Sequence, residues 1–567
     1  MGNKAFLAAF VVLGLVLFPG ISAYARKRKA PESSQFHTPI AGDEKILHAL
    51  NRLTFGPKPG DFERVRAIGL KKWIDLQLHP ERIAENPVLT DKLLPLDSLT
   101  MSPAQMIRNY PTPQLVKAMV EGKLPFPDDP DKRMMIRNLV ARYERKQDPD
   151  GAQPSRPDLA ALLTPEQLRA MRAGTPQQKL EVFAALSRDQ QDQALEAMGQ
   201  GMRNQLFAAA PAGLRRRIES AAGPQVVVVQ DLAAAKLYRA VYSNRQLQEV
   251  LADFWYNHFN VYLDKGADHY LVTAYEREAI RPHVLGKFED MLRATAQSPA
   301  MLFYLDNWES AGPQSPAGRR RKIGLNENYG RELLELHTLG VDGGYTQKDV
   351  TEVARCFTGW TIKQPQRVAE FEFNPRMHDD GEKIVLGVRI PAGGGIDDGF
   401  RVLHLLAHHP ATARFLSRQL ALRFVADDPP AALVDRMAAA FLKSGGDLRA
   451  VLKTMFQAPE FWSRGAYRTK MKSPLEMVAS SLRAVDAGVD FAFGLNNQLT
   501  QLGQPLYRKA EPTGYSNSSQ EWLNSASLLA RMNFSVALAN NKIPGVQVET
   551  AHASEGLTLG SPDFQKK

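Results

Sequence analysis

Residues 326–360 read NENYGRELLELHTLGVDGGYTQKDVTEVARCFTGW, and their spacing decides what kind of fold this is. A helix over 327–338 places Leu333, Leu334 and Leu336 on one side. Asn328, Arg331, Glu332 and Glu335 fall on the other side, three and four residues apart. Gly340 ends that helix, and Asp342-Gly343-Gly344 supplies residues that tolerate a left-handed backbone. Thr346 and Asp349 form a capping box for a second helix, with Asp in place of the usual Glu or Gln, and Gly359 closes it. His337 shares its face with the leucines and is expected in the core. Two helices on a glycine turn account for the whole stretch.

The same signals extend outward. Asp43 opens a helix with Ile46, Leu47, Leu50 and Leu53 on one face, and a further helix runs over 61–78 with an interruption at Gly69. Over 95–230, capping boxes recur at Ser102, Thr164, Thr175 and Ser187, three of them with Pro at the first helical position. These predict an inserted array of short helices, with 148–157 as a polar linker. Helical spacing from Leu232 carries through to Phe254, and Phe254-Trp255 flank His258 on one face. Residues 312–321 read as a loop. The strand signal is confined to 361–390, where Phe371-Glu372-Phe373 and 383–390 alternate around a turn at 377–381. Helices follow over 400–407, 410–425, 431–443, 447–456, 474–487 and 519–534. The expected fold is predominantly α: a multi-helix globular core with a small β-hairpin element and an inserted helical array. Residues 43–94 and 231–567 make the core, and 95–230 the insertion.

The 567 residues are 44% hydrophobic and 23% charged, ordinary for a globular protein. Cys356 stands alone, which excludes an intrachain disulfide and a multi-cysteine metal centre; it reads as a small buried residue. Lys4, an apolar run over 5–18, Pro19-Gly20 and Ala23-Tyr24-Ala25 have the anatomy of a secretory signal over 1–25. The run falls short of the roughly 20 residues needed to span a bilayer. The basic residues 26–29 after it favour the alternative of an uncleaved N-terminal anchor, which would be the route of membrane contact. Residues 26–42 read as a flexible basic leader. The expected location is therefore periplasmic or extracellular. The net charge of +10 suits an anionic envelope polymer as neighbour, although a mixed surface explains it as simply. Nucleic acid is not expected as a partner of an exported chain.

Several long motifs are familiar. The segment 48–60, FWYNHF at 254–259, IRPHVLGKF at 280–288, AMLFYLDN at 300–307, the 326–350 stretch, ARCFTGW at 354–360 and GSPDFQKK at 560–567 resemble the bacterial DUF1800 family. The resemblance covers 43–90 and 230–567. It implies a large exported bacterial protein and a DUF1501-type protein as partner, since the two are often encoded together. It carries over no catalytic or binding residue.

Two function classes remain open from the residues. One is an envelope binding or assembly protein; exposed aromatics would fit it, and Trp255, Trp308 and Trp360 suit either that face or the core equally. The other is an extracytoplasmic hydrolase. There Glu332, Glu335 and Arg331 are the catalytic candidates, because neighbouring carboxylates can divide acid and base roles. Asn328, Asp306, Asn307 and His258 are the binding candidates. His378 and Asp379, in a turn that looks exposed, are the candidate ligands of a divalent metal. HExxH, GxSxG and a phosphate-binding GKS/GKT are absent.

Overall fold

The computed structural model describes residues 34–147, 158–321, 324–549 and 558–567. The signal segment, residues 26–33 of the leader and the 148–157 linker lie outside the described residues. The described chain is predominantly helical, with three short two-stranded sheets among the described residues.

One large core joins the two ends of the sequence. Leu50 and Leu53, Leu237, Leu251 and Trp255, Leu333 and Leu334, Leu420 and Phe424, and Leu475 and Leu482 all belong to it. The N-terminal helices are locked in place by buried polar contacts as well. Arg483 pairs with Asp61 at 3.1 Å and donates to the carbonyls of Gly56 (2.6 Å) and Val241 (2.9 Å). The Ser473–Glu476 capping box forms at the start of Pro474–Ala484, and its Glu476 side chain also faces Arg423 and Lys567.

The insertion has its own smaller core of Met171, Phe183, Leu195, Leu206 and Phe207. Phe207 meets Phe491 of the main body edge-on, with centroids 5.1 Å apart. All four capping boxes form with both hydrogen bonds present. Within the stretch assigned to the insertion, Met106, Ile107 and Tyr110 pack in the main core.

Four local expectations are corrected. The helical run from Leu232 is two helices, Pro224–Tyr242 and Gln246–His258. Gln246 folds back to donate to the Ala240 and Ser243 carbonyls and so stabilises the break. The expected hairpin is two hairpins: Trp360–Lys363 pairs with Glu370–Phe373, and Lys383–Val385 pairs with Val388–Ile390. Leu386 and Gly387 both have positive φ (50° and 78°), which lets 383–390 turn back on itself within two residues. Within the expected loop at 312–321, Pro316–Arg321 is a short helix. Residues 34–42 of the leader are packed rather than loose: Phe36 is buried against Gly465, and Ile40 bonds the Trp462 carbonyl.

The Glu476 carboxylate is the sign-sensitive part of this frame. Burial opposes its ionisation, but Arg423 and Lys567 outweigh burial and hold its pKa well below the ordinary 4.5. Its contribution is therefore present above pH 4.5 and lost as pH falls below it. Replacing Glu476 by Gln leaves two buried cations without their carboxylate. At pH 7 the variant should lose about 3–5 kcal/mol in urea unfolding, and the loss should shrink at acid pH.

Candidate functional site

The signature helix begins as α-helix over Asn328–Glu332 and continues as a π-turn over Leu333–Thr338. Leu339 N–H bonds the Leu334 carbonyl five residues back at 2.9 Å, and the Thr338 hydroxyl donates to the Leu333 carbonyl at 2.6 Å. The wider turn brings Leu333, Leu334, His337 and Thr338 to the buried face and leaves Leu336 only partly buried. Leu336 was expected with the other leucines, and the widened turn is the reason it is not. Gly330 lets the second helix approach: a Cβ there would lie 3.0 Å from the Val350 carbonyl oxygen. That second helix, Gln347–Cys356, opens with the expected Thr346–Asp349 box.

The polar face of the signature helix gathers the four expected residues. Glu332 is half-buried; burial first, and the Glu335 charge second, raise its pKa against the pull of Arg331. Glu335 accepts a 2.9 Å bond from the Tyr345 hydroxyl. Arg331 pairs with Glu327 at 3.5 Å and donates to Gln347 at 3.0 Å, which is local bracing of the two helices. Asn328 is exposed. Asp306 lies alongside, since Asn326 donates to its carbonyl at 3.2 Å; its carboxylate pairs with Lys265 at 2.6 Å.

The remaining expected residues divide differently. His258 sits behind this helix, its ring among Trp255, Phe259 and Phe415 and its Nε2 3.0 Å from the His337 carbonyl oxygen. Burial lowers its pKa to about 4, against that backbone bond. His337 is buried as expected; burial, then the neighbouring His258, lowers it to about 3. Asn307 is fully buried, and its amide donates to the Phe357 and Trp360 carbonyls at 3.1 Å each. It ties those two carbonyls together from inside the fold.

His378 and Asp379 are not in an exposed metal-binding turn. His378 is buried, with Nδ1 2.8 Å from the Thr358 carbonyl and Nε2 3.2 Å from Asp398. Asp398 also accepts from Lys383 at 2.6 Å. Asp379 pairs with Arg355 at 3.0 and 3.1 Å. The two side chains face different partners and bracket Thr358 and Arg355. Asp380, Gly381 and Glu382 of this turn are exposed as its polarity suggests, but His378 and Asp379 turn inward to close a polar network.

A groove of about 860 Å³ was not foreseen. Leu115, Lys123, Tyr270, Phe303, Trp308 and Arg367 are among the residues that line it. Phe303 and Trp308 stack, with centroids 5.6 Å apart and planes 18° from parallel, and both are only partly buried. Of the three tryptophans weighed as either exposed or core, Trp308 is partly exposed, and Trp255 and Trp360 are fully buried. Sequence proximity could have paired Phe303 with Trp308, but nothing in spacing brings Leu115 or Arg367 to them.

The family model described as "Protein of unknown function (DUF1800)" matches residues 48–565. No curated protein and no solved structure matches the chain.

The two enclosed histidines set an acid limit on stability. Their folded pKa values are depressed below 6.5, so their contribution is complete above pH 6.5 and is lost as pH falls towards 4 and 3. At one unit below 6.5 each should cost about 1.4 kcal/mol. Scanning calorimetry from pH 8 to 4.5 should show a falling Tm, with a shallower fall in His337→Leu.

Proposed function

Because the chain belongs to the DUF1800 family, a family of unknown function, we propose its role from its own surfaces: an exported envelope protein that binds an anionic polysaccharide. The observation that carries this reading is the groove of Trp308, Phe303 and Tyr270, flanked by Lys123 and Arg367. Ligand clefts are mostly apolar with a few placed polar groups, and this one has that balance. A sugar ring offers an apolar C–H face to the stacked pair, while its hydroxyls meet Gln114, Gln364 and Gln366 at the rim. Arg367 favours carboxylate- or phosphate-bearing sugars over neutral ones, and Lys123, paired with Glu121 at 2.5 Å, would add to this by exchanging that partner. The secretory-type N-terminus and net charge of +10 support export and an anionic neighbour. Assembly with a DUF1501-type protein remains part of the proposal, through the family resemblance.

A second reading, an acid–base hydrolase, is favoured by one observation. Glu332 and Glu335 stand together, and the proton affinity of Glu332 is raised by burial and by its neighbour. The hydroxyl of Tyr345 on Glu335 would help separate their roles.

Titration calorimetry with uronic-acid oligosaccharides, and with neutral gluco-oligosaccharides as the comparison, tests the binding reading. Acidic oligomers should bind and neutral ones should bind more weakly. Trp308→Ala should weaken binding at least about tenfold, about 1.4 kcal/mol. Equal binding by wild type and Trp308→Ala would sink the proposal. The Glu332→Gln/Glu335→Gln double variant should leave affinity unchanged. If the same variant abolishes turnover of a bound oligosaccharide, the hydrolase reading stands instead.

A further inference from the structure

We propose that Glu289, His404 and His408 form a surface site for a divalent metal of the zinc class. His404 lies in the helix Asp397–Ala407, and His408 caps the end of that helix four residues on. This spacing sets both rings on one face, with centroids 4.4 Å apart. Glu289 stands opposite, in the first turn of Phe288–Ala296, which packs against the histidine-bearing helix. Both Glu289 oxygens lie 3.2 Å from His404 Nδ1, and Oε2 lies 3.7 Å from His408 Nδ1. One donor atom from each residue falls within 4.8 Å of the others.

These separations suit one ion. Donors bound to a tetrahedral zinc at about 2.0–2.1 Å stand roughly 3.3 Å apart. The Glu289–His404 separation already matches, and His408 reaches the same centre by a small ring movement. Two imidazoles and one carboxylate select zinc or its transition-metal neighbours over magnesium or calcium, which prefer all-oxygen shells.

The surroundings fix the donors. Arg293 holds Glu289 Oε1 through Nε (3.0 Å) and Nη2 (2.6 Å), which leaves Oε2 for the ion. Arg293 is itself placed over the Phe400 ring at 5.2 Å. His408 Nδ1 also lies 3.0 Å from the His404 carbonyl oxygen, and binding the ion through Nδ1 exchanges that contact for the metal. Both histidines are exposed, so the ion enters directly from solvent. Three protein donors leave a fourth position for water or for an anionic ligand. The guanidinium of Arg293 repels a cation and so limits affinity. The site shares no residue with the aromatic groove, and the two inferences fail independently.

The full-length chain, carrying no added histidine tag and stripped with EDTA, should be titrated with zinc chloride by calorimetry. Cobalt(II) absorption in the visible gives a second readout of ligand geometry. One saturable zinc site and a tetrahedral cobalt band are expected. Glu289→Gln and His404→Ala should each weaken zinc at least about tenfold, and His404→Ala/His408→Ala should abolish the band. His79→Ala, at a surface histidine 3.0 Å from Glu81, should change neither. Circular dichroism and Tm in EDTA should match wild type, since the altered side chains are at the surface. Absence of zinc binding, or equal binding by wild type and the double variant, would overturn the proposal.

Discussion

The five-residue bond from Leu339 to the Leu334 carbonyl governs much of what surrounds it. One extra residue in the turn rotates everything after Leu333 by most of a helical step. His337 and Thr338 then face the core, and Glu335 and Leu336 stay near the surface. The turn is affordable because the Thr338 hydroxyl takes the Leu333 carbonyl and His258 meets the His337 carbonyl. Gly330 on one side and Gly340, at φ 82°, on the other set the helix close to its neighbours and end it. The polar face of the signature is thus fixed by the packing of its apolar face.

The second structural commitment is buried charge. Arg483 with Asp61, and Glu476 with Arg423 and Lys567, join segments far apart in the chain. Ion pairs like these add little net stability over apolar packing, because both partners lose their water. They penalise wrong arrangements heavily, since a misplaced helix would strand a charge. A chain that packs many helices around its main core has many near-equivalent packings, and unpaired buried charge separates them.

Local chemistry was the legible part of this sequence. Every capping box read from a Ser or Thr and a Gln, Glu or Asp three residues on is formed, because a cap depends on four consecutive residues. The glycine turn at 340–344 is equally local. Strand pairing was misread because the partner of Glu370–Phe373 is Trp360–Lys363, hidden in the tail of the helical signature. His378 was misread because polarity alone does not separate a solvated turn from a buried network closed by Asp398 and Lys383. The four residues of the signature's polar face were legible since one helix presents them. The groove was not, since Leu115, Phe303 and Arg367 meet only in three dimensions.

Proton chemistry narrows where function can reside. General acid–base work at neutral pH needs a group whose pKa lies near the working pH. His258 and His337, pushed down to about 4 and 3, are neutral there and cannot exchange a proton usefully. Tyr304 and Tyr329 are pushed up by burial and stay protonated. Cys356 is raised to about 12 by burial and is no nucleophile. The enclosed titratable groups of the signature region therefore serve folding, and Glu332 is the member whose shift runs towards neutrality. Glu219, Asp231 and Asp268 are raised as well, chiefly by burial, so a raised carboxyl by itself does not mark out Glu332 as catalytic. The groove presents the faces of Phe303 and Trp308 beside Arg367, whereas a catalytic Glu332 would need a substrate to complete its site.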